Sequence, residues 1–128
     1  MSKAKINRRG AFLDIVAEKG RTFYEPIHCQ YYDSGDTLQD FSWTNYSGAT
    51  MMVKTKPSSS AELVFSTDDN TIELESEGSL VLNHSAELMD DIRAGQYEYD
   101  LYLLGTDAIY AKRSLFYGNF IVEPKITT

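Results

Sequence analysis

The chain has 128 residues, of which 42% are hydrophobic and 24% charged, so a wholly disordered or fibrous protein is excluded and one domain is expected. The formal net charge is −7, but the first ten residues carry four bases and no acid, which leaves 8 bases against 19 acids in the rest. An acidic body of this kind repels phosphate backbones, so we expect no direct binding of nucleic acid.

The basic N-terminus predicts a flexible arm over residues 1–10, followed by a single domain over residues 11–128. We expect the arm either to stay solvated or to contact an adjoining subunit. In the second case the contacts come from its four bases, which are Lys3, Lys5, Arg8 and Arg9. Because no apolar run has the length of a signal peptide or a membrane span, we expect a protein made in a cytoplasm without a membrane partner.

The first half of the chain indicates short strands. Residues 12–17 are rich in apolar and β-branched side chains. Apolar and polar residues alternate over residues 21–32, where Pro26 indicates an edge or a bulge, and again over residues 49–56. Cys29, the only cysteine, excludes an intrachain disulfide, and its apolar neighbours favour a buried residue over a nucleophile.

The middle of the chain shows the signal of a β-hairpin. Residues 62–66 and 71–75 flank the polar run 67–70, and Ile72 and Leu74 alternate with acidic residues. This pattern predicts two paired strands with Ile72 and Leu74 facing inward. Gly78 then turns the chain into another strand at residues 79–82.

One short helix is expected after Ser85, which is a suitable N-cap. Leu88 and Ile92 lie four residues apart and would share one of its faces, and Gly95 would end it with a positive φ. Strict alternation over residues 97–103 then predicts the clearest half-buried strand. Residues 115–122 complete the pattern, with Gly118 reducing side-chain bulk on the inward face.

Eight or nine short strands with polar turns and one brief helix in a crossover predict an all-β, antiparallel β-sandwich. The two histidines, His28 and His84, have no partner at metal-ligand spacing, and the acidic pairs are explained by a turn and an exposed helix face. We therefore predict no catalytic residue, no metal and no cofactor, and we do not expect an enzyme.

The nine tyrosines suggest a binding surface, and Tyr102 and Tyr110 are the candidates for exposure. Exposed tyrosines anchor protein interfaces and also stack on sugars. Because no polar residues converge on these aromatics, protein partners are favoured. A carbohydrate-binding module is kept as the alternative, and a small hydrolase is a distant third hypothesis.

The order of several segments in the C-terminal half resembles a family of small phage virion proteins. The segments are residues 72–74, residues 78–82, the helix after Ser85, Ala94-Gly95-Gln96-Tyr97-Glu98-Tyr99-Asp100-Leu101, residues 115–122 and Thr127. This family includes proteins similar to the N-terminal domain of baseplate upper proteins, which are tail and baseplate adaptors. The resemblance covers residues 11–126 loosely and residues 71–122 more tightly.

The resemblance implies an immunoglobulin-like sandwich that is a structural or adaptor subunit of a tailed bacteriophage particle. The expected location is the virion, at the tail, baseplate, neck or capsid surface, after synthesis in the cytoplasm of a bacterial host. The implied partners are other virion structural proteins, with the subunit repeated around a symmetric assembly.

Overall fold

The computed structural model describes residues 11–56, 59–76, 78–106 and 112–124, together with the backbone of residues 2–5. The strands are β1 Ser2–Lys5, β2 Ala11–Phe12, β3 Ile15–Glu18, β4 Phe23–Tyr32, β5 Leu38–Asp40, β6 Tyr46–Lys54, β7 Ala61–Ser66, β8 Ile72–Leu74, β9 Ser79–His84, β10 Gly95–Gly105 and β11 Lys112–Glu123. The helix α1 spans Ala86–Asp91.

Two sheets pack face to face, which confirms the predicted all-β sandwich. The first sheet has the order β1-β4-β9-β8, with β5 also paired to β4; the second has the order β2-β11-β10-β6-β7, with β3 also paired to β11. These orders are those of immunoglobulin-like sandwiches. Helix α1 lies in the crossover from β9 in the first sheet to β10 in the second.

The core is formed by the inward residues of both sheets, as the alternation predicted. On β10, Tyr97, Tyr99, Leu101 and Leu103 are all buried. At the centre, Phe65 and Phe120 contact Phe23 from the opposite sheet, with ring centroids 5.7 and 5.6 Å from that of Phe23. Such inclined contacts between rings add to the stabilisation from buried apolar area.

Two tyrosines of β10 hold the chain segments around them. The hydroxyl of Tyr97 donates to the carbonyl oxygen of Arg93, four residues upstream, at 2.7 Å, which is the tyrosine corner of immunoglobulin-like sandwiches. The hydroxyl of Tyr99 donates to the carbonyl oxygen of Leu13 at 2.5 Å. Burial raises the pKa of both phenols, so both remain hydrogen-bond donors.

Gly118 faces inward on β11, as predicted, and the space beside it is filled by backbone. A Cβ atom built there would lie against the carbonyl oxygen of Leu13 and 3.0 Å from its carbonyl carbon. The φ angle of Gly118 is 156°. The glycine is therefore required for the close approach of the Leu13 segment to β11.

The predicted hairpin across residues 67–70 is wrong. Strand β7 pairs with β6 in the second sheet, whereas β8 pairs with β9 in the first. The turn, in which Asn70 has a φ of 65°, carries the chain from one sheet to the other. Two alternating strands around a polar turn give the same sequence pattern whether they pair or face each other across a core.

The predicted helix begins correctly and ends early. Ser85 is the N-cap, and its hydroxyl accepts a hydrogen bond from the backbone N–H of Leu88 at 3.3 Å. The helix ends at Asp91 rather than near Gly95, because Ile92 already has an extended backbone with ψ of 137°. Met89 and Ile92 are buried, while Leu88 is 46% exposed, so the prediction that Leu88 and Ile92 share one face is wrong.

The N-terminal strands differ from the expectation in two ways. The backbone of Ser2–Lys5 pairs in parallel with β4, so this part of the predicted flexible arm is a strand; the free backbone groups of the β4 edge explain the pairing. Residues 6–10 lie outside the described residues. The segment at residues 12–17 forms two strands, β2 and β3, which both pair in parallel with β11.

Pro26 causes no bulge. It lies opposite Val81 in a register between β4 and β9 that runs without a shift from Phe23 to His28. On the other side of β4, the pairing with β1 begins only at Ile27. The missing N–H of proline is therefore tolerated at a position that β1 does not reach.

Candidate functional site

The outer surface of the second sheet carries a cluster of exposed aromatic and apolar side chains. The strand register places Met52, Asp100 and Tyr117 in one row across β6, β10 and β11, with Phe12 of β2 beside Tyr117. The next row contains Tyr102 and Ser114. We call this surface the outer aromatic face; its residues are Phe12, Met52, Lys54, Glu98, Asp100, Tyr102, Lys112, Ser114, Tyr117 and Asn119.

The outer aromatic face is concave. Its residues surround a shallow, open depression with a volume of about 720 Å³, which also reaches Gly118. Phe12, 62% exposed, and Tyr117, 40% exposed, stand at one side with ring centroids 5.8 Å apart and ring planes inclined by 83°. Two paired strands hold these rings, so the sheet fixes their positions on the surface.

Polar contacts fix several side chains of this face. The Lys112 ammonium lies 4.1 Å from the centroid of the Tyr102 ring, a cation–π arrangement. The Ser114 hydroxyl donates to Asp100 Oδ1 at 2.8 Å. Polar groups that are already oriented lose less conformational entropy when a partner binds.

The charges on the outer aromatic face are balanced. Its depression is lined by two bases, Lys54 and Lys112, and by two acids, Glu98 and Asp100. The net charge of −7 therefore lies elsewhere on the chain. A neutral surface on an acidic protein is the surface on which a second acidic protein meets the least repulsion.

Of the six residues predicted to contact partners, the structure places one in this site. Tyr102 lies on the outer aromatic face, half-buried beneath Lys112. Only the backbone of Lys3 and Lys5 is described. Arg8, Arg9 and Tyr110 lie outside the described residues, so their predicted contacts stay predictions.

Sequence reasoning missed Phe12, Met52 and Tyr117. A signal for Tyr117 was present, because it precedes Gly118, which was predicted to face inward, and successive residues of a strand point to opposite faces. Phe12 had no such signal, because its place beside Tyr117 results from a parallel pairing between residues more than 100 positions apart.

A second cluster of polar side chains lies on the first sheet and has the residue types of a nucleophilic triad. His28 Nε2 is 2.8 Å from Asp40 Oδ1, and Ser79 Oγ is 3.5 Å from His28 Nδ1. The second distance is at the limit for a hydrogen bond, and none of the three residues lines the depression on the outer aromatic face. The clear effect of this cluster is to hold β5 against β4.

A third cluster covers one end of the sandwich. Phe41 is buried among Tyr31, Trp43 and Tyr46, and the Arg113 guanidinium carbon lies 5.0 Å from the Phe41 ring centroid. The hollow beside it, about 230 Å³, is much smaller than the depression on the outer aromatic face. We interpret this cluster as part of the hydrophobic core.

Cys29 is fully buried, and burial raises its pKa to about 12, so it is a neutral thiol near pH 7. Within the described residues no three His, Cys, Asp or Glu side chains are grouped as metal ligands. In the same part of the chain, no helix has the length and apolar character needed to cross a bilayer.

In comparisons with known proteins, no family model and no curated protein matches this sequence. The outer aromatic face is thus the feature from which a function can be inferred.

Proposed function

We propose that this chain is a non-enzymatic structural or adaptor subunit of a tailed bacteriophage particle that acts through protein–protein contacts. The observation that carries this proposal is the outer aromatic face, on which Phe12, Tyr102 and Tyr117 stand on paired strands. Aromatic residues are enriched at the centres of protein interfaces, and tyrosine is prominent among the residues with large effects on binding. The resemblance of residues 71–122 to small phage virion proteins, a group that includes proteins similar to the N-terminal domain of baseplate upper proteins, supports the phage setting.

The energetics of this face favour a protein partner. Burying a large apolar side chain such as Phe12 contributes about 1.5–3 kcal/mol relative to leaving it exposed. Phe12 adjoins Tyr117, and Met52 lies in the same row two strands away, so one partner surface that fits the depression would cover all three. Lys54, Glu98 and Lys112 lie toward the two ends of the face and would form a polar rim, as in stable protein interfaces. Asp100 lies between Met52 and Tyr117 and keeps its hydrogen bond from Ser114.

The carbohydrate-binding alternative is supported by the closeness of Tyr102 to the polar pair of Asp100 and Ser114. Two features weigh against it. The rings of Phe12 and Tyr117 are nearly perpendicular, so they offer no common flat platform for a sugar ring. One oxygen of Asp100 already accepts a hydrogen bond from Ser114, which leaves fewer free groups for sugar hydroxyls.

The proposal is tested by mass spectrometry of purified phage particles from a host that carries the gene. We expect this chain in the particles, and we expect the Tyr117→Ser variant to lose about tenfold in incorporation, equivalent to about 1.4 kcal/mol of binding. The matched control is Tyr24→Ser, which trims a tyrosine that is 66% exposed on β4 of the opposite sheet. Circular dichroism verifies that both variants fold.

Absence of the chain from particles, or equal incorporation of both variants, would contradict the proposal. A glycan-array signal that disappears in the Tyr102→Ser variant would support the carbohydrate-binding alternative in its place.

A further inference from the structure

We infer that the partner covering the outer aromatic face is a second copy of this chain, packed face to face about a two-fold axis. This inference rests on the proposed function and deepens it by naming the chemistry of one partner. Three properties of the described residues support it: the balance of charge, the position of the exposed rings at one margin, and the regular backbone beneath them.

The charge argument concerns repulsion between identical subunits. Two copies with a net charge of −7 each repel one another over most orientations. The outer aromatic face is an exception, because its two lysines and two acidic residues cancel. A two-fold contact brings the same patch from each subunit together, so a patch with both signs of charge is able to complement itself.

The charged residues are also separated along the strands. Glu98 and Lys54 are register partners near one end of the face, while Lys112 is the partner of Leu104 near the other end. A two-fold axis that crosses the strands reverses their direction in the second copy. Glu98 of one subunit then approaches the end of the face that carries Lys112 in the other.

The shape argument concerns Phe12 and the depression. Phe12 stands at the margin of the face on β2, and it is one of the most exposed large apolar side chains in the described part of the chain. The depression of about 720 Å³ extends from it across β11 and β10 to Met52 on β6. A two-fold axis that crosses the strands leaves each residue at its own position across the sheet, so the Phe12 and Tyr117 rings at the margin of one copy meet the same margin of the other, and the two depressions face each other.

The backbone beneath the contact is regular sheet. Strands β10 and β11 are paired from Gly95 with Val122 to Leu104 with Lys112, with one register shift after Leu101. Two regular sheets pack at about 10 Å when their side chains interdigitate, which is how sandwiches form their own cores. The dimer contact would thus repeat, between subunits, the packing that the fold uses inside each subunit.

Sedimentation of the purified full chain over a wide range of concentrations tests the inference. We expect a reversible monomer–dimer equilibrium, and we expect Tyr117→Glu to raise the dimer dissociation constant at least tenfold because it buries an unpaired charge, a loss of about 1.4 kcal/mol or more. Phe12→Ala, which removes a largely exposed ring without disturbing the core, should weaken the dimer in the same direction. The control Tyr24→Glu should dimerise like the unsubstituted chain.

A chain that stays monomeric at every concentration would overturn the inference, as would equal weakening by the substitutions at Tyr117 and Tyr24. The two proposals fail separately. A monomeric chain whose Tyr117→Ser variant is still lost from particles contradicts the second copy and leaves the virion role standing. A dimer that is missing from particles contradicts the virion role.

Discussion

The carbonyl group of Leu13 shows how single residues fix the N-terminal strands of this sandwich. Its oxygen accepts the hydrogen bond of the Tyr99 hydroxyl, and the backbone N–H of Leu13 donates to the carbonyl oxygen of Tyr117 at 2.8 Å. Gly118 leaves the space in which this backbone lies. The segment between β2 and β3 is thereby held on β11, and this position brings Phe12 onto the outer aromatic face.

Replacing Gly118 by alanine should destabilise the protein strongly. The new Cβ atom would collide with the Leu13 backbone, and forced overpacking of this kind costs roughly 1–3 kcal/mol in addition to the backbone penalty. Gly95→Ala is a matched control, because Gly95 has a similar φ of 154° but no atom within 4 Å of the added Cβ. Urea unfolding of both variants gives the difference in the free energy of unfolding. Equal losses in the two variants would show that the contact with Leu13 is unimportant.

At the scale of elements, the β4–β5 hairpin depends on two carboxylates. Asp33 Oδ1 accepts hydrogen bonds from the backbone N–H groups of Gly35 and Thr37 at 2.9 and 3.0 Å. At the other end of β5, Asp40 accepts from His28. The backbone N–H of Thr37 lowers the pKa of Asp33, and the hydrogen bond from His28 lowers the pKa of Asp40.

Acidification should therefore loosen this hairpin. A carboxyl group whose pKa is lower in the folded state than in the unfolded state stabilises the folded state at pH values above its ordinary pKa. This stabilisation is lost as the pH falls through the lowered pKa. We expect the amide signals of Gly35 and Thr37 to move toward unstructured positions in an NMR titration from about pH 6 to about pH 2. In the Asp33→Asn, Asp40→Asn double variant the hairpin should lose this dependence. Unchanged signals in the original chain would refute the expected role of the carboxylates.

For the whole molecule, Cys29 gives a direct measure of cooperative unfolding. It is the single cysteine, it is fully buried, and its pKa is raised to about 12 by burial. A thiol reagent reacts with the exposed thiolate, so labelling at about pH 8 requires opening of the sandwich.

We expect labelling of Cys29 in urea to follow the loss of Trp43 fluorescence in one transition, as a single cooperative domain requires. The control is the Cys29→Ala, Tyr24→Cys double variant, whose exposed thiol should react at once without denaturant. Rapid labelling of Cys29 in the native chain, or two separate transitions, would count against the single domain predicted for residues 11–128.

The sequence by itself determined the local features of this protein. Alternation between apolar and polar residues identified β10 and the inward position of Gly118, and the hydroxyl of Ser85 identified the start of α1. Each of these depends on neighbours within a few residues, because strand and helix periodicity and N-capping are short-range effects. The sandwich class followed from their number and order.

Only the tertiary structure decided which strands pair and what lies between them. The pairs β7–β6 and β8–β9 and the contact of Phe12 with Tyr117 join residues that are distant in sequence, and the local sequence does not indicate the partner. The burial of Met89, with Leu88 exposed, likewise depends on the neighbouring elements. Pairing partners are selected by the whole core, because each sheet face must find another apolar face to bury it. The outer aromatic face is a product of that selection, and for this reason the sequence alone revealed only Tyr102 of its members.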